Sequence, residues 1–472
     1  MKNSKLIHLL STFSTKEMER FGEFVHSPYY NSNAQLAELC TYLSTLHPSF
    51  PEEQIAAEAV GRLAFPGRPL DKKQLSYLMS GLMKLGEKFL GVQRLERQET
   101  LFECQVMREL VERRQEKHFV QNYKKAKGVL DSQPRENSDT FYYQYLMAEM
   151  SQYFPARQQG IAENSLQEAS NTLDGYYFIN KLKYSCEMVN RQAIVSEQFS
   201  IPFMEEVGSY LKGSPQLPPL INIYLQIYYS LSNPSEDHHF ETLLTLIGEH
   251  AGSIGKAELK NIYLYAINLC MRKIRQGKAG YISIALNLYE EGIRNKSLFE
   301  HNYLSHWTYN NIVKLALRLE RFEWIEQFIY AYNGVLQEEF QENALHYNLA
   351  ELYFHKKNYD EALLHLNQVQ ASDIKFHLVA RILLIKAFYE SDALDACMSA
   401  LAAFTVYLSR NKQIATPLKK SCQNFCALLH KIMSHASQKK REKLRHHIRT
   451  RQPLADRDWL MEVYEKQDRR HF

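Results

Sequence analysis

Proline and glycine are scarce, at 14 and 18 residues in a chain of 472. So few chain-breakers leave little room for the close turns of a sandwich or barrel, and the alternating Val-rich runs that mark strands are missing too. No uninterrupted apolar run approaches the roughly 18 residues of a membrane-crossing helix. Net charge is small, formally +4, which argues against whole-chain attraction to nucleic acid or acidic membranes. The 7 cysteines lie scattered through helical segments without framework spacing. An odd, dispersed set excludes a disulfide scaffold and points to reduced, buried thiols. The opening MKNSKLIHLLSTFSTKEMER holds only a short apolar run, which contains His8 and meets charged residues at once, unlike a signal peptide. A cytoplasmic protein is expected.

What the chain does have is helix-forming sequence throughout, with 45% hydrophobic and 23% charged residues, ordinary values for a folded protein. The fold class read from this is all-α. Its length exceeds one ordinary compact core and suits an elongated stack of helical units. Residues 1–98 read as a separate helical module. Ser14-Thr15-Lys16-Glu17 forms a capping box, with Phe13 and Met18 placed as a hydrophobic staple. Met18, Phe21 and Val25 make one apolar stripe, and Leu36, Leu39, Leu43 and Leu46 the next. Ile55, Ala59 and Leu63 make a third, ended by Phe65-Pro66-Gly67-Arg68-Pro69. Asp71, with Gln74 three residues on, opens a long helix carrying Leu75, Leu78, Met79, Leu82, Leu85 and Phe89.

Residues 99–219 read as degenerate helical pairs: Thr140–Met150, Ala162–Leu173, Tyr176–Val189 and Ile201–Leu211. A break follows at Lys212–Pro219. Residues 220–472 continue with Ile221–Leu231, a loop over Ser232–His239, then Phe240–His250, Ala257–Ile274 and Tyr281–Ile293. Equivalent helices recur about every 35–45 residues, the spacing of degenerate helical repeats.

The clearest unit is NALHYNLAELYFHKKNYDEALLHLNQVQASDI, from Asn343 to Ile374. Ala350 and Ala362 are small residues at two close-contact positions, Leu349, Tyr353, Leu366 and Val369 extend the buried faces, and Asp360-Glu361 opens the second helix. Leu349 and Ala362 are echoed 34 residues later by Leu383 and Ala396. Ile312, Ala316, Phe322 and Ile325 fit a preceding unit. This stretch resembles a tetratricopeptide repeat, with Lys357 where that family usually has Gly. The stretches FSTKEMERF, SPYYN and LAFPGRPLDKKQLSYLMSGL resemble a module of uncharacterised bacterial proteins that carry helical repeats behind it. The resemblance implies an α-solenoid of antiparallel helical hairpins with an N-terminal helical module, and binding of a protein or peptide on the concave face. Matched residue by residue, that face comprises Trp307, Asn310, Lys314, Arg318, Tyr347, Glu351, Phe354, His355, Arg381, Ile385, Phe388 and Tyr389. The Lys/Asn pattern of members that clamp a C-terminal carboxylate is not reproduced, since Tyr347 and Glu351 stand at two of its positions.

Signals of chemistry are weak. Gly252-Ser253-Ile254-Gly255-Lys256-Ala257 is similar to a phosphate loop, but His250 stands where the first Gly belongs and Ala257 replaces the metal-binding hydroxyl. Cys422 and Cys426 share a helix face without a second pair at zinc spacing. His238-His239 reads as a solvent-exposed loop pair beside Glu236 and Asp237. No catalytic, cofactor or metal residues are therefore assigned, and the expected activity is non-catalytic scaffolding. The basic run Lys439–Arg451 reads as a solvated helix face. The alternative function is a regulator that contacts nucleic acid through this run or the N-terminal module, with the repeats sensing a partner.

Overall fold

The computed structural model describes residues 4–64, 71–132, 137–153, 164–192, 197–214, 216–370, 374–434 and 438–469. These residues are all-α apart from one short ladder, β1 (Phe299–Glu300) antiparallel to β2 (Tyr303–Leu304). No helix among them is long and apolar enough to cross a membrane. The chain divides into two compact units, Met1–Tyr184 and Ser185–Phe472.

In the first unit, α1 (Lys5–Leu10), α2 (Thr15–His26), α3 (Ala34–Leu46), α4 (Ala57–Ala64) and α5 (Lys72–Arg97) share one core. The capping box forms: the Ser14 hydroxyl accepts from the Glu17 amide and the Glu17 carboxylate accepts from the Ser14 amide. Arg97 at the far end of α5 adds an ion pair at 2.8 Å. The Ser14 amide first, then Arg97, hold the Glu17 carboxyl down at about 2. Phe13 and Met18, the staple pair, are both buried, and Phe89 of α5 meets Phe13, Phe21 and Phe24 within 6 Å. One stripe differs from expectation. Ile55 is buried in the turn that follows Pro51 rather than on α4, and Val60 rather than Ala59 fills the core. The Phe65–Pro69 stop lies outside the described residues.

The unit continues with α6 (Glu99–Glu112), α7 (Glu116–Ser132), α8 (Ser138–Ser151) and the greater part of α9 (Ser165–Gln192), whose last turns from Ser185 belong to the second unit. Two expected helices, Ala162–Leu173 and Tyr176–Val189, are here the single helix α9, with Ala162 outside the described residues. Asp174-Gly175 reads as a break in sequence but lies inside that helix. A Cβ at Gly175 would stand 3.1 Å from the Phe141 ring, so the glycine serves close approach rather than a turn.

The second unit holds α10 (Met204–Gly213), α11 (Pro219–Ser232), α12 (Asp237–His250), α13 (Lys256–Arg275), α14 (Tyr281–Arg294), α15 (His306–Arg318) and α16 (Phe322–Asn333). After these come α17 (Glu338–His355), α18 (Tyr359–Leu366), α19 (Ile374–Glu390), α20 (Leu394–Arg410), α21 (Thr416–Met433), α22 (Gln438–Thr450) and α23 (Arg457–Arg469). From α11 onward each helix packs on the next, and α11 also meets α13, α15 meets α17, and α17 meets α19. The loop expected over Ser232–His239 is shorter. Asp237, His238 and His239 form the first turn of α12, where the Asp237 charge suits a helix N-terminus. The phosphate-loop-like run is a 3₁₀ turn (Ala251–Ser253) followed by the start of α13, and a helix rather than a strand precedes it.

One turn recurs. At Gly277, Glu320, Lys357 and Asp392 the backbone has positive φ (88°, 54°, 61° and 61°). In each case that residue's N–H donates three residues back and the next N–H donates five residues back. This is the Schellman motif, which satisfies the last carbonyls of one helix before the next begins. Arg114, between α6 and α7, has the same geometry. The residues seven before and five after the left-handed residue are buried every time: Met107 with Phe119, Cys270 with Ile282, Val313 with Ile325, Ala350 with Ala362, and Ile385 with Cys397. Asn358, a residue type suited to a left-handed or a turn conformation, caps α18 by accepting from the Glu361 amide, and Lys357 bears the strain. A lysine there costs about 1 kcal/mol relative to a residue without Cβ. Lys357→Gly is therefore expected to leave stability equal or raise it by up to about 1 kcal/mol. Asn358→Gly should lower it slightly, by loss of the cap. Chemical denaturation of both variants checks the pair, and a clear loss for Lys357→Gly would contradict the assigned turn.

Candidate functional site

A cavity of about 1220 Å³ lies in the second unit. α15 contributes Trp307, Lys314, Leu317 and Arg318; α17 contributes Tyr347, Glu351 and His355; α19 contributes Leu378, Val379, Ile382, Leu383 and Lys386. Leu418 and Cys422 of α21 and the stretch Ala455–Glu462 complete it, except that Leu460 and Met461 are not in the wall.

Six of the twelve residues matched to a ligand-facing side meet here: Trp307, Lys314, Arg318, Tyr347, Glu351 and His355. Asn310 is buried, and its carbonyl accepts from Asn348 Nδ2 at 2.6 Å, which joins α15 to α17. Phe354 is half-buried with the Lys386 ammonium 5.1 Å from its ring centroid. Arg381 is exposed and does not line the cavity, Ile385 is fully buried in the core, and Phe388 and Tyr389 pack at the core's edge. The physical reason is register. The left-handed residues Lys357 and Asp392 stand 35 residues apart, not 34. One residue turns a helix by about 100°, so Ile382 and Lys386 take the cavity-facing places that a 34-residue echo gives to Arg381 and Ile385. The interval between Glu320 and Lys357 is 37, and at that spacing Asn310, Lys314 and Arg318 are the equivalents of Tyr347, Glu351 and His355. Asp392 was the available signal, because a short acidic or amide side chain tolerates the left-handed turn.

From the sequence, Trp459 and Leu460, after Pro453 and Asp456, read as the anchor of a final capping helix; that this end also forms a cavity wall is not part of that expectation. Arg457 donates to the carbonyls of Ile448, Arg449 and Arg451, fixing the turn from α22 into α23. Asn424 of α21 donates to the Pro453 carbonyl at 2.7 Å. Trp459 packs edge-on against Tyr389, and its indole N–H donates to Glu390 at 2.9 Å. Lys386 pairs with Asp456 at 2.8 Å and lies over the Trp459 ring.

The polar lining carries both signs, with Lys386 and Arg457 among the cations and Glu351 and Asp456 among the carboxylates. Lys314 and Arg318 are one turn apart on α15, and Lys314 sits 5.6 Å from the Tyr347 ring centroid. Asp458 and Glu462 are also one turn apart, on α23. Tyr347 donates to Glu351. Burial, then the Glu351 charge, push the Tyr347 hydroxyl far up, so it acts as a neutral donor. Cys422 is buried and its thiol is pushed up to about 11 by burial, as is that of Cys426. Both are unreactive thiols at neutral pH. On α22, Leu444 and Ile448 face the core, whereas Lys443, Arg445, His446, His447 and Arg449 are exposed. The side chains of Lys439, Lys440 and Arg441 lie outside the described residues.

Beside this cavity α17 and α18 are joined by a histidine pair, His346 Nδ1 to His365 Nδ1 at 3.0 Å. Only one of two facing Nδ1 atoms can carry a proton in such a contact. Burial lowers the pKa of both rings, and that of His377 on α19. Glu342 opposes the shift at His346, and Glu361 opposes it at His365. Neutral in the fold, these rings take protons more readily once unfolded. Their contribution is whole above the ordinary imidazole value of 6.5 and is lost as pH falls through it toward the lowered folded values. Melting temperature should therefore fall between about pH 7 and pH 5. The His346→Gln/His365→Gln variant should show a shallower fall over the same range, and an unchanged slope would exclude the pair as its source.

No protein-family model, no curated protein and no solved structure matches this chain.

Proposed function

We propose that the second unit is a tetratricopeptide-like solenoid, and that its large cavity is a groove for an extended segment of another protein. The protein would then be a non-catalytic cytoplasmic scaffold. The observation that carries this reading is the convergence of Trp307, Lys314, Arg318, Tyr347, Glu351 and His355, from two successive first-of-pair helices, on one cavity. The recurring Schellman turns at 43-, 37- and 35-residue intervals support the repeat assignment.

The lining suggests the ligand's chemistry. Trp307 is 42% exposed and offers an aromatic surface at the rim. Lys314 and Arg318 favour acidic side chains, and Asp458 and Glu462 favour basic ones. Exposed tryptophan and arginine are frequent anchors of binding energy. Selection from a random peptide library against the full chain tests the idea. Enriched peptides should bear both charge signs and an aromatic or aliphatic anchor. Trp307→Ala combined with Lys314→Glu should weaken them by more than about tenfold, the loss of one anchor. Both side chains are exposed, so the fold should survive. Equal binding by wild type and variant would rule the groove out.

A further inference from the structure

We propose that Glu236, His238 and His239 form a binding site for a divalent ion of the zinc class. Glu236 is the residue before α12, and the two histidines lie in that helix's first turn. Their ligand atoms all fall within 4.8 Å of one another. His239 Nε2 and Glu236 Oε2 are 3.5 Å apart. Zinc held tetrahedrally by bonds of about 2.0–2.1 Å separates its ligand atoms by about 3.4 Å, so these two donors already stand near one edge of such a site. His238 is exposed and can swing to a third corner.

His239 is built as a ligand is built. It is only 8% exposed, its ring stacks on Tyr229 at 4.7 Å, and its Nδ1 lies 2.8 Å from Gln226 Oε1. Gln226 is oriented in turn by donating its amide to Asn222 at 3.1 Å. An outer hydrogen bond of this kind fixes the tautomer and ring angle of metal-binding histidines. With Nδ1–H given to Gln226, the Nε2 lone pair points toward the Glu236 carboxylate. Two acceptors face each other and need a cation between them, a proton or a metal ion.

The nearby lysines are engaged with other groups. Lys212 lies over the Tyr229 ring, 4.5 Å from its centroid, while Lys273 and Lys278 are both occupied by Asp237. Two imidazoles and one carboxylate suit zinc and its neighbours, not calcium or magnesium, which take oxygen ligands. Three protein donors leave a fourth position for water. The site shares no residue with the cavity.

Zinc titration of the full chain against a chromophoric chelator, at neutral pH, tests the site. One zinc per chain is expected. Glu236→Gln, at an exposed position, should weaken it by about tenfold or more, and His239→Gln should abolish it. Gln226→Met, which removes only the outer hydrogen bond, should cost about 10- to 100-fold. His446→Gln/His447→Gln, on exposed α22, should change nothing. Because His239 is packed, its variant is compared with wild type by melting temperature, and Glu236→Gln decides the matter if that variant unfolds. No zinc uptake by wild type, or uptake undiminished in Glu236→Gln, overturns the site and leaves the proton as the bridging cation.

Discussion

Trp459→Ala should destabilise the second unit by about 3–5 kcal/mol, the range for truncating a buried aromatic to alanine. Trp459 is 7% exposed and lies among Tyr389 of α19, Phe425 of α21 and the Lys386 ammonium. Its loss leaves a cavity among three helices and removes the indole N–H from the Glu390 carboxylate, which keeps its ion pair with Lys466. The indole is also what pins the start of α23 against α19, so Asp456, Asp458 and Glu462 lose their fixed place on the cavity wall. Trp459→Phe separates the two contributions. It retains most of the packing and removes the N–H donor, and a loss of about 1–2 kcal/mol is expected. Guanidinium denaturation of both variants gives the numbers. Equal stabilities for wild type and Trp459→Ala would mean that the C-terminal helix does not close the core as described.

The all-α class, nearly every helix after Leu220 and the capping box at Ser14 were legible in the sequence, because each depends on local periodicity or on neighbours three residues apart. The cavity lining was legible only where the repeat length was right. At 37 residues the backward match placed Lys314 and Arg318 on the cavity; at 34 the forward match missed by one residue and chose Ile385 over Lys386. A helix punishes that error severely, since one step exchanges the core face for the cavity face. The Ala396 echo of Ala362 misled because alanine fits many helix positions, whereas the residue in the equivalent buried place is Cys397, whose thiol meets the Ile385 carbonyl.

Two other features depended on distant neighbours. Gly175 looks like punctuation until Phe141 is seen beside it. His239 looks like a loop residue until Gln226, Tyr229 and the helix N-terminus are placed around it. The C-terminal wall is the same case on a larger scale: Arg457 capping α22 and Trp459 meeting α19 join residues whose pairing no local pattern records.

Ala350→Trp combined with Ala362→Trp should unfold the region around α17 and α18. Both methyl groups are fully buried, one on each of two helices that pack against each other. Overfilling a packed contact costs about 1–3 kcal/mol for modest enlargements, and two indoles exceed any volume the crossing can absorb. The sharper comparison is Ala350→Val with Ala362→Ile, which copies the pair Val313 and Ile325 from the preceding turn. If side-chain size at this crossing were free, that swap would be neutral. It is not free, because α17 is also held by α15, α16 and α19, and Asn348 is tied to Asn310 at 2.6 Å. The axes of α17 and α18 cannot separate without breaking those contacts, so about 1–3 kcal/mol should be lost here as well. Thermal melts followed by circular dichroism measure both variants. A Trp pair that melts like wild type would refute the close crossing, and a neutral Val/Ile pair would show that the spacing of α17 and α18 is set by their own side chains and not by the neighbours on either side.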